Sequence, residues 1–525
     1  MLNNEVIMQT SADACTQIAS YFDTVDNCIA MSDTNKQYSI NPQTSYGPSP
    51  PIKSGSYTSV IISPNTHNTA DLYNGFIKAT MEIKVNIDDK IDTANVGDYS
   101  FNNIWYGFKD ARDAIEKYEI VANGITIYTQ NYGCEESFLT ACCSNETTKR
   151  ADIYSKTRHK DVWRQNEGCR CGFVVYWTKD RTEATGTINL KIDLRRFLPI
   201  SNIKYLPAFA GKIELRLYFS CAGLVYCPCG PDESLINNPG LYSKYTLSPI
   251  TTEFRQIGNS ITCWATSATA NGLYTLNAAE RTSHATWYEV KDCLSIIPCF
   301  GISENVYNLL VQRYSDPTHP LTFPTQTLSV YTTTNKLDQP NDKTTCTITP
   351  RFVDSIFCLF PLRNTDKTVF KNPLFNSFYI NAGGYGNIPN RPFGTTKEYP
   401  EFLEYCQNAM NMNGEQSGFN KEVIKSLTNP YTFNSTTGYY SDDRSSFFIG
   451  LPTETDNTYQ QGLTSLSPIN FEMNIVQSTN DNSFAKKVDA NPLFCLLYDS
   501  SISILVQPNG MPPLVRIGNY DLTTP

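Results

Sequence analysis

Residues 212–219 read KIELRLYF, and residues 469–476 read INFEMNIV. Both alternate apolar and polar side chains. Neighbouring side chains on a strand point to opposite faces of its sheet, so this period fits a sheet buried on one side. The pattern spreads outward in both directions. FIKATMEIKV (76–85), EIVANGITIYT (119–129), TLSVYTTT (327–334) and SISILVQ (501–507) keep to it or nearly so. The runs fall into two stretches, roughly 55–225 and 285–518, each a ladder of short strands interrupted by one helical segment.

The helical segments are CEESFLTACCS (134–144), with acidic residues in its first turn where the helix dipole favours them, and EYPEFLEYCQNAMNM (398–412). In the second, Phe402, Tyr405, Cys406 and Ala409 share one face of a 3.6-residue period. KEVIKSLT (421–428) follows it. Asn123-Gly124 sits between two apolar runs and predicts a hairpin turn. Further strands are expected at SVIISPN (59–65), CGFVVYWT (171–178), TINLKIDLRRFLP (187–199), WYEVKDCLSIIP (287–298), NLLVQRY (308–314), FVDSIFCLFPL (352–362), FNSFYINAGG (375–384), SSFFIGL (445–451) and PLFCLLYD (492–499). NPQTSYGPSPPIKSGS (41–56) is rich in Pro, Ser and Gly and reads as part of an arm, with a short helix expected around Asp13–Phe22.

These readings give an all-β fold of two large sandwiches with a few inserted short helices and long loops. The expected division is an N-terminal arm (1–54), a first sandwich (55–240), and a second (241–525) that includes the linker and C-terminal tail. The chain of 525 residues is long enough for both. Its 32 Tyr and 27 Phe suit pleated surfaces, and its dispersed 28 Gly and 30 Pro suit many turns.

A net charge of −9 makes a poor non-specific binder of nucleic acid or anionic membrane. The densest basic stretch, KRADIYSKTRHKDVWR (149–164), reads as a solvated loop. The first residues lack a basic region followed by an apolar run, and no segment reaches the roughly 18 apolar residues of a membrane helix. The expectation is a soluble chain made inside the cell.

Seventeen cysteines cannot all pair within the chain, and that address leaves them mostly as thiols. Two clusters stand out: Cys134, Cys142, Cys143, Cys169 and Cys171, then Cys221, Cys227 and Cys229. Their C-x-C and CC spacings are a poor match to the C-x2-C pairs of tetrahedral zinc. His67, His159, His284 and His319 form no H-x-x-x-H or H-x-H pair. There is no G-x-S-x-G elbow and no phosphate loop, and AGGYGN (382–387) reads as a turn. The acidic pairs Asp88/Asp89, Glu135/Glu136 and Asp442/Asp443 are adjacent, which does not build a glycosidase cleft. Asn145 and Asn434 match the glycosylation pattern, by chance in a chain with no secretory signal. No catalytic, cofactor-binding or metal residue is assigned, and no enzyme activity is expected.

Several segments, taken in order, resemble the double jelly-roll major capsid proteins of tailless icosahedral double-stranded DNA viruses. That family includes adenovirus hexon and the capsid proteins of virophages and Polinton/Maverick elements. The segments are DLYNGFIKATMEIKV (71–85), IWYGFKDARDAIEKYEIVANGITIYTQNYG (104–133), INLKIDLRRFLPISNIKYLPAFAGKIELRLYF (188–219), TQTLSVYTTTN (325–335), KNPLFNSFYINAGGYGNIP (371–389) and EFLEYCQNAMN (401–411). CPCGPDES (227–234) has no counterpart in it. The resemblance implies two eight-stranded jelly rolls in tandem and a homotrimer that forms a pseudo-hexagonal tile. It further implies neighbouring capsomers, penton and minor or cement proteins as partners, and a place in the virion shell after assembly in the host cell. No sequence-specific nucleic-acid binding and no membrane span are implied. The alternative is a minor virion or spike protein, or a glycan-binding β-sandwich, which predicts one jelly roll beside a separate domain.

Overall fold

The computed structural model describes residues 38–44, 52–53, 57–64, 68–87, 103–106, 111–143, 172–174, 176–177, 183–219, 224–227, 255–257, 260–268, 274–301, 304–317, 320–333, 343–348, 352–363, 366–370, 375–394, 399–409, 433–434, 439–440, 447–453, 462–464, 467–477, 492–507 and 511–518. The helix expected around Asp13–Phe22, the basic stretch 149–164 and the segment 421–428 lie outside them.

The main strands of the first half are β1 (Tyr38–Thr44), β2 (Tyr57–Ile62), β3 (Asn68–Asp71), β4 (Phe76–Ile87), β5 (Ile115–Ala122), β6 (Ile125–Gln130), β7 (Glu183–Asp193), β8 (Ile213–Phe219) and β9 (Tyr274–Gly301). Those of the second are β10 (Leu321–Thr332), β11 (Lys343–Ile348), β12 (Val353–Leu359), β13 (Phe375–Asn381), β14 (Asn387–Phe393), β15 (Phe448–Pro452), β16 (Ile469–Gln477), β17 (Leu493–Leu505) and β18 (Leu514–Gly518). Three helices matter to the argument: α1 (Gly133–Cys143), α2 (Glu304–Tyr314) and α3 (Tyr399–Ala409).

The second half forms a sandwich of sheets ordered β10-β17-β12-β15 and β11-β16-β13-β14, with β18 added beside β17. Numbered along the chain, its eight strands run 1-8-3-6 and 2-7-4-5, the double Greek key of a jelly roll. The first half also pairs two sheets, β2-β8-β5-β6 and (Tyr176–Trp177)-β7-β4-β9, in a different strand order. All of these pairings are antiparallel. Residues 213–219 alternate strictly between buried and half-buried, as their sequence demands. The Asn123-Gly124 hairpin is present, with φ of 51° and 89°, the left-handed pair a type I′ turn requires.

Three expectations are corrected. WYEVKDCLSIIP (287–298) belongs to β9, which is hydrogen-bonded to β4 from His284↔Ile87 to Ile296↔Phe76. β9 lies past residue 240 in the chain and pairs with a strand that lies before it. NLLVQRY is not a strand but the end of α2. Tyr307, Leu310, Val311 and Tyr314 fall at i, i+3, i+4 and i+7 and pack on the first core, while Leu309 is 63% exposed. A three-residue apolar run carries no period of its own, so helix and strand could not be told apart there. PLFCLLYD and SISILVQ are one strand, β17: Asp499, Ser500 and Ser501 look like a turn but are buried in a continuous ladder with β10. Within the arm, which the sequence expected to be extended or turn-like, two segments are strands. β1 pairs with β9 from Tyr38↔Phe300 to Thr44↔Leu294, and Ile52–Lys53 pairs with Glu289 and Val290. With residues 260–268 alongside 274–285, these segments cover the outer edge of β9. A bare edge of that length is a template for unwanted pairing.

Two hydrophobic cores result. The first is mainly aliphatic, including Val60, Ile77, Ile120, Leu190, Ile192, Leu215 and Leu217. The second is dense in phenylalanine, with Phe357, Phe375, Phe378, Phe393, Phe402, Phe447, Phe471 and Phe494 all fully buried. Each such side chain contributes about 1.5–3 kcal/mol through burial. On α3, Phe402, Cys406 and Ala409 face that core and Tyr405 is half-buried against it, as the period predicted. Gly450 makes room for this helix: a Cβ there would lie 2.9 Å from that of Ala409.

Candidate functional site

The two cores trade residues across a seam. Phe138, Leu139 and Cys142 of α1, with Leu198, sit in the second core. Leu321 and Phe323 of β10, Ile502 and Ile504 of β17, and Val515 of β18 sit in the first. Phe138 lies on Phe370 with ring centroids 4.2 Å apart and meets Phe448 edge-on at 6.3 Å. The sandwiches thus share an apolar interior of the kind found in permanent interfaces.

A buried polar cluster lies against this seam. Glu136 stands in the first turn of α1, where the N-terminal dipole favours a carboxylate. Its Oε1 accepts from Arg112 Nη2 (3.4 Å), Tyr118 OH (3.0 Å) and Leu198 N (3.3 Å). Its Oε2 accepts from Gln130 Nε2 (3.0 Å) and Tyr118 OH (2.9 Å). Both members of the ion pair are 0% exposed. Arg112 also donates from Nη1 to Ile115 O (3.2 Å), and its guanidinium carbon lies 4.9 Å from the Tyr118 ring centre and 4.4 Å from that of Phe197. Burial pushes the Glu136 carboxyl above the ordinary range, while Arg112, Tyr118, Leu198 N and Gln130 pull it back down. Burial also raises the Tyr118 and Tyr128 phenols well above theirs.

Hydrogen bonds carry the seam from this cluster into the second sandwich. Gln130 Nε2 donates to Leu328 O (2.8 Å) and Tyr128 OH to the same carbonyl (3.5 Å). Thr325 Oγ1 lies within reach of Leu198 O (2.9 Å) and Pro199 O (2.7 Å). At the hairpin, Asn123 Nδ2 donates to Pro513 O (2.7 Å) while its Oδ1 accepts from Lys212 N (3.0 Å). Chemically, the arrangement fixes two sandwiches against each other.

The residues weighed in the sequence fall elsewhere. Cys134 Sγ donates to Asp113 O (3.3 Å), and Cys142 is packed in the second core. Cys169, Cys171, Cys221 and Cys229 lie outside the described residues, and of Cys143 and Cys227 only the backbone is described. Burial pushes the thiols of Cys293, Cys346 and Cys406 up to about 12, and those of Cys358 and Cys495 well above the ordinary value. Such thiols are poor nucleophiles and poor ligands. Among the described residues no group of His, Cys, Asp and Glu could hold a metal ion. His67, His159 and His319 lie outside, and His284 is described only as a strand position in β9. Asp88/Asp89 and Asp442/Asp443 also lie outside. Gly383–Tyr385 forms one tight turn between β13 and β14, as AGGYGN suggested. No helix among the described residues is long and apolar enough to cross a membrane.

Sequence reasoning missed the centre of this network. Glu136 was visible only as half of an acidic pair, and Arg112 stands on a separate segment with no pattern linking it to α1.

No family model matches the sequence, and no curated protein does. Solved structures do. The fold, two jelly rolls in tandem in one chain, is that of the double jelly-roll major capsid proteins of icosahedral viruses. A chain from the cryo-EM structure of the Sputnik virophage superposes with a TM-score of 0.52 at 12% identity, covering 93% of this chain and 91% of that one. The mavirus major capsid protein gives 0.45 at 10% identity over 92% and 90% of the two chains. The Faustovirus major capsid protein gives 0.42 at 9% over 93% and 92%.

Proposed function

We propose that this chain is a major capsid protein, a structural and non-catalytic subunit that trimerises into a pseudo-hexagonal capsomer of an icosahedral shell. The observation that carries this reading is the match in fold to the Sputnik virophage chain along nearly the whole length of both. Two sandwiches per chain and three chains give six similar blocks around one axis. The seam supports the reading physically, because a tile must transmit load without its halves hinging. Residues to about 301 supply one block, and those from α2 onward the other. Neighbouring capsomers, penton and minor or cement proteins are the expected partners, and the virion shell is the place. The net charge of −9 argues against a strong grip on the genome. The spike or glycan-binding alternative predicted one jelly roll beside a separate domain, whereas two sandwiches are present. Negative-stain images of the expressed protein test the proposal. Particles of hexagonal outline are expected, and single bilobed particles would overturn it.

A further inference from the structure

The sequence places glycine after five asparagines: Asn74, Asn123, Asn271, Asn413 and Asn509. An Asn-Gly pair can modify itself. The glycine backbone nitrogen, losing its proton, attacks the asparagine Cγ. A new N–Cγ bond forms, the Cγ–Nδ2 bond breaks and ammonia leaves. Water then opens either carbonyl of the cyclic imide, giving aspartate or isoaspartate. No cofactor or second protein is required, and glycine permits the closure because it has no side chain in the way.

Two of the five pairs lie among the described residues, and they are held differently. At Asn74 the restraints are local. Its Nδ2 donates to Asp71 Oδ2 (2.7 Å), and the attacking nitrogen, Gly75 N, donates to Leu72 O (3.2 Å). Asn123 is held from both sides of the seam. Its Nδ2, the leaving group, donates to Pro513 O in the segment leading into β18, and its Oδ1 accepts from Lys212 N. Gly211 closes in behind it: a Cβ there would lie 2.5 Å from Asn123 Oδ1 and 2.9 Å from Pro513 Cγ. Gly124 is exposed to water. Of the two hydrogen bonds that hold the Asn123 amide, one therefore comes from its own sandwich, from Lys212 N, and the other, to Pro513 O, crosses to the other sandwich, 390 residues away in the chain.

We propose that Asn123-Gly124 is a self-modification site gated by the seam. With Pro513 seated, the amide is held by two hydrogen bonds and stays intact. When the segment around Pro513 lifts, Gly124 N closes on Cγ, ammonia leaves and hydrolysis follows. The product does not restore the clasp. A carboxylate at position 123 still accepts from Lys212 N, but it presents an oxygen, not an N–H, to Pro513 O. Acceptor faces acceptor, so each opening that proceeds to reaction leaves the seam permanently looser. The site records seam opening, in one direction only.

The test is peptide mapping by mass spectrometry of the full chain held at mildly alkaline pH, scoring all five pairs, with the urea-unfolded chain as reference. Deamidation at Asn123 in the native chain is expected to be slower than in the unfolded chain by about tenfold or more, the factor set by the cost of local opening. Val515→Ala, which thins the packing of β18 without touching the turn, is expected to speed reaction several-fold at Asn123 and to leave Asn74 unchanged. Asn123→Asp, the product itself, is expected to lower the thermal midpoint relative to Asn123→Ser. Equal native and unfolded rates at Asn123 would overturn the proposal, as would equal acceleration at Asn74 and Asn123 in Val515→Ala. The native-versus-unfolded comparison stands even if Val515→Ala fails to fold.

Discussion

In the second sandwich all eight strands come from one stretch, Leu321 to Leu505, and close on a core of phenylalanine. In the first, the strand order is 1-7-3-4 and 5-6-2-8, and the eighth strand arrives from residues 274–301, well past β8. Its outer edge is then covered by the arm and by residues 260–268. The first core is mainly aliphatic and carries a buried Arg–Glu pair beside it, where the second is dense in phenylalanine. The same architecture is thus held by local closure and dispersion in one half, and by distant segments and a polar hub in the other. The second half should be the more self-sufficient, and the first the more sensitive to single polar changes.

The largest effect should come from breaking the hub. Glu136→Ala leaves Arg112 charged and buried with its carboxylate gone, and the expected loss is about 3–5 kcal/mol. Urea unfolding measures it, and adding Arg112→Met should recover much of the loss. If the double variant is no better than the single one, the ion pair is not what distinguishes the first half. In the second half, Phe357→Ala is expected to cost a similar 3–5 kcal/mol, about the usual penalty for emptying a packed aromatic site. The contrast sharpens under acid. Because burial raises the folded carboxyl of Glu136, the native state holds its proton more tightly than the unfolded chain does. That contribution to stability falls as pH rises from the ordinary value through the raised one, and is recovered on acidification. The gap in urea midpoint between the natural chain and the non-titrating Glu136→Gln should widen as pH is lowered through that window, while Phe357→Ala should show no such change.

Smaller effects lie along the seam. Thr325→Val removes the hydroxyl that reaches Leu198 O and Pro199 O, and about 1 kcal/mol should be lost. Cys346, Cys358 and Cys406 should resist alkylation at mildly alkaline pH until denaturant unfolds the second half. Rapid labelling in the native state would contradict the burial assigned to them.

Much of this architecture could be read from the chain. Periodicity found β4, β8, β16 and the Asn123-Gly124 hairpin, because half-buried strands advertise themselves by alternation. It also found α3, while the acidic first turn marked α1. It failed where a strand is buried on both faces, as in β17, whose buried Asp499-Ser500-Ser501 imitates a turn. It failed again where a strand pairs far along the chain. Nothing in WYEVKDCLSIIP says that its partner is Phe76–Ile87, since pairing is settled by packing and not by local propensity. The seam was illegible for the same reason: Arg112 and Glu136, Gln130 and Leu328, and Asn123 and Pro513 meet only in three dimensions.

The most direct test of the central claim is the mass of the purified chain by sedimentation equilibrium at micromolar concentration and physiological salt. A single species with the mass of three chains, persisting on dilution, is predicted. A monomer under those conditions would contradict the account of the fused sandwiches as one third of a tile.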